Sequence, residues 1–245
     1  MRIYLSFALA SLVACGGGGK ATIDSPGSGI DAKAIDAEPI DATYGPPINV
    51  GGIASIVNGG VAKGVTIGAY LEGATTPLVT TTSGTDGSYT LAVPTINGEI
   101  TGYIKGSLAT YVDTYLYAPG PITTDQTMAN IKMIKQGTID GLYLLNSITE
   151  DPNAATVGLE VVDATDTVIA GAVVTATPAP TNILYTGAGG LPSKTATMTA
   201  ADGLAYLANT PTGTVSVNAT ATGHTFTAHN IVVRANALTT TLIGP

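Results

Sequence analysis

The chain has no tryptophan, two phenylalanines, two histidines and a single cysteine among 245 residues. A lone cysteine excludes an intramolecular disulfide framework. Two histidines, His224 and His229, leave little material for acid–base or metal chemistry. No Gly-x-Ser-x-Gly stretch accompanies them, so a serine nucleophile in the usual elbow is excluded. Charge is also scarce: 11% of residues carry one, with 9 basic against 17 acidic and a net charge of −8. A chain this poor in Lys and Arg is unsuited to the phosphate backbone, so no nucleic-acid partner is expected. The uncharged run Ile3 to Ala14 is short. As a helix it reaches about 18 Å at 1.5 Å per residue, against a hydrocarbon core of about 30 Å.

That run has a different reading. Arg2 supplies a positive start, the apolar stretch follows, and small residues precede Cys15. This order predicts a secretory signal over residues 1–14. Leu12-Val13-Ala14-Cys15 resembles the lipobox of bacterial lipoproteins. The resemblance implies cleavage before Cys15, a diacylglyceryl thioether on its sulfur and acylation of the new amine. Cys15 is therefore the expected lipidation site and the membrane the expected partner, since two or more acyl chains hold stably. Gly16, rather than Asp, follows the cysteine. By the same resemblance this favours the outer membrane of a bacterial cell envelope, with the leaflet left open.

Residues 15–47 carry glycines, prolines, a loose Ile-Asp-Ala repeat (Ile35-Asp36-Ala37, Ile40-Asp41-Ala42) and like charges. Such a composition builds no packed core, and a lipidated flexible tether is expected. Gly16 to Lys20 is not a phosphate loop, because Ala14 replaces the first glycine and Ala21 the Ser/Thr.

From residue 48 the apolar period becomes two. Val65, Ile67, Ala69 and Leu71 alternate with Thr66, Gly68 and Tyr70. Tyr89, Leu91 and Val93 alternate with Thr90 and Ala92, and Val215, Val217 and Ala219 with Ser216 and Asn218. Such alternation predicts half-buried strands, and Asn58-Gly59, Asp86-Gly87, Asn97-Gly98 and Asp202-Gly203 predict the turns between them. The halves repeat: Gly64 to Ala69 parallels Gly171 to Ala176, and Asp86 to Leu91 parallels Asp202 to Leu207. This order resembles the carboxypeptidase regulatory-like, transthyretin-like β-sandwich. Asp86-Gly87-Ser88-Tyr89-Thr90-Leu91-Ala92-Val93-Pro94 is its best-matching stretch, whereas Leu204-Ala205 departs from it and an insertion lies near Pro178–Pro192.

The expected fold is all-β: two tandem seven-stranded Greek-key sandwiches, transthyretin-like or Ig-like, at 48–136 and 156–245. A connector at 137–155 holds either a short helix over Thr138–Glu150, capped by Thr138, or one more strand. The resemblance implies a module that binds, spaces or accompanies and does not catalyse. The zinc-site pattern His-x-x-Glu of enzymes carrying such modules is missing, because Thr227 stands three residues after His224. Asp163, Asp166, Glu150 and Asp151 make no calcium-loop array. No metal, cofactor or catalytic residue is expected.

The remaining surface of interest is aromatic. Tyr111, Asp113, Tyr115 and Tyr117 would share one strand face, opposite Val112, Thr114 and Leu116. Tyrosine offers flat apolar area with a polar tip, suited to sugar rings or protein partners. The same rings could equally cover an outer sheet face. Two functions follow: a membrane-anchored lipoprotein presenting modules for structure, spacing or protein interaction, or one that binds carbohydrate or peptide through Tyr111, Tyr115 and Tyr117.

Overall fold

The computed structural model describes residues 44–245. The expected signal, Cys15 and the tether up to residue 43 lie outside the described residues. The rest is mostly strand. The first half contributes β1 (Tyr44–Ile56), β2 (Thr66–Leu71), β3 (Val79–Thr82), β4 (Ser88–Ile96), β5 (Gly102–Ser107), β6 (Thr114–Tyr117) and β7 (Ile131–Met133). Helix α1 (Gln136–Leu145) follows. The second half contributes β8 (Ala154–Val161), β9 (Val173–Thr177), β10 (Asn182–Thr186), β11 (Pro192–Ser193), β12 (Leu204–Pro211), β13 (Gly213–Thr220), β14 (His229–Val233) and β15 (Leu238–Ile243).

The alternation seen in the sequence becomes alternating burial. Tyr89, Leu91 and Val93 of β4 are buried while Ser88, Thr90 and Ala92 are exposed. Val215, Val217 and Ala219 of β13 point into the second core. The first core joins Val50, Ile67, Leu91, Val93, Ile131 and Met133. Each such fully buried aliphatic side chain contributes about 1.5–3 kcal/mol.

The internal repeat holds hydrogen bond for hydrogen bond. Ala54 N donates to Gly87 O and Val161 N to Gly203 O. Ala62 N donates to Ala54 O and Ile169 N to Val161 O. Ser83 Oγ donates to Ala62 O and receives Val65 N; Thr199 Oγ1 donates to Ile169 O and receives Ala172 N. The two Asp-Gly turns need their glycines. Gly87 and Gly203 have φ of +77° and +65°, and a Cβ on either would approach the carbonyl oxygen of Ala54 or Val161 to 2.5 or 2.9 Å.

The halves are nevertheless not two separate sandwiches. Two three-stranded sheets, β4-β1-β7 and β14-β13-β9, flank a nine-stranded sheet of order β11-β10-β12-β8-β15-β6-β5-β2-β3. The larger sheet of each half has merged edge to edge, through parallel pairing of β6 with β15 (Leu238↔Thr114 to Thr241↔Tyr117). One strand also changes place between the copies: β3 pairs β2, while β10 pairs β12. The longer connection between β9 and β12 adds the short strand β11, which pairs with β10.

Residues paired across the large sheet share a face. Ile67, Ile104 and Leu116 face the first core, whereas Val157, Leu159, Ala205, Leu207 and Ile243 face the second from the opposite side. The two small sheets therefore cover opposite faces of one large sheet, which leaves the outer face of β2, β5 and β6 beside the second core rather than under the first.

Two boundaries differ from expectation. Strand β1 starts at Tyr44 rather than after Pro47, and Pro46 and Pro47, which have no N–H, fall where its register to β4 shifts. The helix starts at Gln136 with Lys135 at its N-cap and no side-chain cap, so Thr138 lies inside the first turn instead of capping it. The helix buries Ile139 and Tyr143 and leaves Leu144 and Leu145 at its end exposed. Tyr143 Oη meets Thr156 Oγ1 at 3.0 Å and accepts Asn209 N at 3.0 Å, tying the helix to β8 and to the bulge of β12.

Candidate functional site

The uncovered face of β2, β5 and β6 carries Tyr70, Tyr103, Lys105, Tyr115 and Tyr117. Alternation places them there: Tyr70 pairs with Tyr103, Tyr103 with Tyr117 and Lys105 with Tyr115 across neighbouring strands. Tyr70 and Tyr103 stack at 5.1 Å with rings 3° from parallel. Tyr103 lies 5.5 Å from Tyr115 and 5.4 Å from Tyr117, tilted against both. Tyr103 and Tyr117 are buried; Tyr70 and Tyr115 are half-buried.

Arg234, just beyond β14, reaches this face from the second half. Its guanidinium carbon sits 4.4 Å above the Tyr103 ring and 4.3 Å above the Tyr115 ring. One Nη1 donates to Tyr117 Oη at 3.1 Å and to Val232 O at 3.0 Å. A cation over an aromatic face contributes about 0.5–2 kcal/mol, more as water is excluded. Lys105 Nζ pairs with Asp113 Oδ2 at 2.6 Å and lies 5.5 Å from the Tyr115 ring centre. Burial opposes its charge, but the bonds and charges of Asp113 and Tyr115 outweigh that and raise its pKa. Burial pushes the Tyr117 phenol up, against the opposing hydrogen bond from Arg234. Between Tyr70, Tyr103, Tyr115, Lys105, Arg234 and residues 73–75 opens a cleft of about 350 Å³, within the size range of small-ligand sites.

Of the three tyrosines singled out from the sequence, Tyr115 and Tyr117 come together here and Tyr111 does not. Strand β6 begins only at Thr114. A turn from Leu108, with Thr110 at φ +71°, interrupts the alternation. Tyr111 packs instead against the first core with Lys135 Nζ 5.4 Å from its ring centre. Nothing local in the sequence marks Tyr103, and Arg234 comes from sequence far away; Tyr70 is one polar position of an alternating strand.

The histidines do not form a pair on one strand. His224 is exposed in a loop, 6.1 Å from the Phe226 ring. His229 opens β14, where its Nε2 meets Thr241 Oγ1 at 2.8 Å, and burial lowers its pKa. Asp163 is held by its own turn, its Oδ1 accepting Thr165 N, Thr165 Oγ1 and Thr167 N. Among the described residues no group of three His, Cys, Asp or Glu side chains could hold a metal ion.

No family model and no curated protein sequence matches the chain. Solved structures that are similar to it include the Bacillus anthracis TIE protein, at 14% identity and TM-score 0.26. That match covers 80% of this chain, which spans only 33% of the TIE protein. The shaft pilin SpaA from Lactobacillus rhamnosus GG matches at 13% identity and TM-score 0.26, covering 81% and 98% of the two chains. GBS52, the minor pilin in Streptococcus agalactiae, matches at 11% identity and TM-score 0.28, covering 80% and 94%. At such scores these likenesses carry no function to this chain.

Proposed function

We propose that the protein is a lipid-anchored envelope lipoprotein that presents a rigid, non-catalytic β body, made of tandem carboxypeptidase regulatory-like units, for structural or protein-interaction roles. The observation that carries the display role is the shared sheet: β15, the last strand, lies between β8 and β6 and joins both halves by main-chain pairing. A body built this way holds its surfaces at fixed spacing, which a spacer or presenting module requires. The repeated hydrogen bonds around Ser83 and Thr199 support the tandem reading. The anchor rests on Leu12-Val13-Ala14-Cys15. Mass spectrometry of the native N-terminal peptide tests it. A first residue of Cys15 bearing a diacylglyceryl group and an N-acyl chain is expected. An unmodified thiol, or cleavage at another position, contradicts the anchor.

A second reading is favoured by a specific observation. The cleft of Tyr70, Tyr103, Tyr115 and Arg234 suits a carbohydrate or peptide ligand on the presented body.

A further inference from the structure

The internal repeat provides a comparison for the tyrosine face. Strands β5 and β6 correspond in order and pairing to β13 and β14. The outward cross-strand pairs of β13 and β14 are Thr214–Val232 and Ser216–Asn230, with the alternate residues buried in the second core. Three small polar residues and one valine therefore satisfy an outer face of this strand pair. In the first half the same positions hold Tyr103, Lys105, Tyr115 and Tyr117. Tyr103 and Tyr117 are explained by the junction with the second half, where they join its core. Tyr70 and Tyr115 pack only partly against the same core, and with Lys105 they line the open cleft.

The cleft's charge is specific. Lys105–Asp113 is the one ion pair within 4 Å among the described residues. Arg234 has no carboxylate partner there, and its recorded bonds go to a phenol and a carbonyl. The Tyr70 hydroxyl makes no hydrogen bond among the described residues, whereas Tyr103 Oη donates to Ala74 O. Glu72 stands exposed near the rim, and its charge reaches Tyr103 and Tyr117. It opposes a densely charged polyanion and leaves room for a single anionic group at Arg234. The strands beneath are each paired on both sides, so no free edge is offered for an extended peptide to add to. Recognition there must go through side chains and ring faces.

Resting on the ligand-binding reading above, we propose that this cleft binds an acidic sugar residue of the uronate class. Its carboxylate lies against the Arg234 guanidinium, its ring against the edge of Tyr115 that Arg234 leaves uncovered, and its hydroxyls reach Tyr70 and residues 73–75. A guanidinium presents a planar fork to a carboxylate, and aromatic rings take the apolar face of a sugar ring.

The test is calorimetric titration of the purified full chain with methyl galacturonide, the neutral methyl galactoside and an acidic hexapeptide. Galacturonate binding at least ten-fold tighter than neutral sugar is expected. Arg234→Gln should remove that preference, Tyr115→Ala should weaken binding ten-fold or more, and Tyr70→Phe, which removes only a free hydroxyl, should weaken it three- to ten-fold. Tyr44→Ala, an exposed tyrosine elsewhere, should change nothing. Thermal melts accompany each variant, and Tyr70→Phe decides the matter should Arg234→Gln unfold. Equal binding of the two sugars, or Tyr115-dependent binding of the peptide alone, overturns the uronate assignment and leaves the ligand-binding reading standing. Binding of nothing in a Tyr115-dependent way overturns both.

Discussion

Proline at position 239 is expected to lower the melting temperature of the β body by roughly 6–12 °C. Thr239 lies in the middle of β15, fully buried, and pairs with Tyr115 on one side and Val157 on the other. Proline removes a ladder N–H in the interior of the sheet and its ring crowds the neighbouring strand. A buried carbonyl left without its donor costs about 1–3 kcal/mol, and the clash brings the total to about 3 kcal/mol or more. A body of this size shifts by about 2–4 °C per kcal/mol. Thr239→Val should move the other way. The Thr239 hydroxyl is buried without a hydrogen-bond partner, so a methyl of the same shape removes a desolvation cost of about 1 kcal/mol. Melts followed by far-ultraviolet circular dichroism measure both. A proline variant as stable as the native chain would show that β15 does not hold the halves together.

The second large effect concerns the anchor. Cys15→Ser is expected to abolish incorporation of an alkyne-tagged fatty acid into the protein, from clear labelling to background. A serine hydroxyl cannot form the thioether that the lipobox resemblance implies. Each buried methylene contributes about 0.8 kcal/mol to membrane binding, and two chains are needed for stable anchoring. No helix among the described residues is long and apolar enough to cross a membrane. Labelling that survives the substitution would place the acyl chain on another residue and remove Cys15 from the account.

Individual strands were legible wherever one face is buried and the other wet. Positions 88–93 and 215–219 alternate cleanly in sequence and in burial. The repeat was legible because the Asp-Gly turns and the glycine-led strands serve the same hydrogen bonds in both halves. The merged sheet was not. It depends on parallel pairing between 114–117 and 238–241, and parallel partners leave no turn or spacing signal in the chain between them. For the same reason two sandwiches were expected where one large sheet is shared. The cleft was half legible. Tyr115 and Tyr117 follow from local alternation, and Tyr111 misled because a turn at Thr110 breaks the period. Arg234 joins the tyrosines only through the fold, and the helix start was misjudged because a threonine in the first turn looks like a cap.

The central claim is that two repeated units act as one rigid body through a shared sheet. Differential scanning calorimetry of the purified full chain tests it most directly. One endotherm is predicted, with calorimetric and van't Hoff enthalpies equal within error, the signature of a single cooperative unit. Two separable endotherms, each carrying about half the total enthalpy, would show that the halves melt independently and would contradict the account.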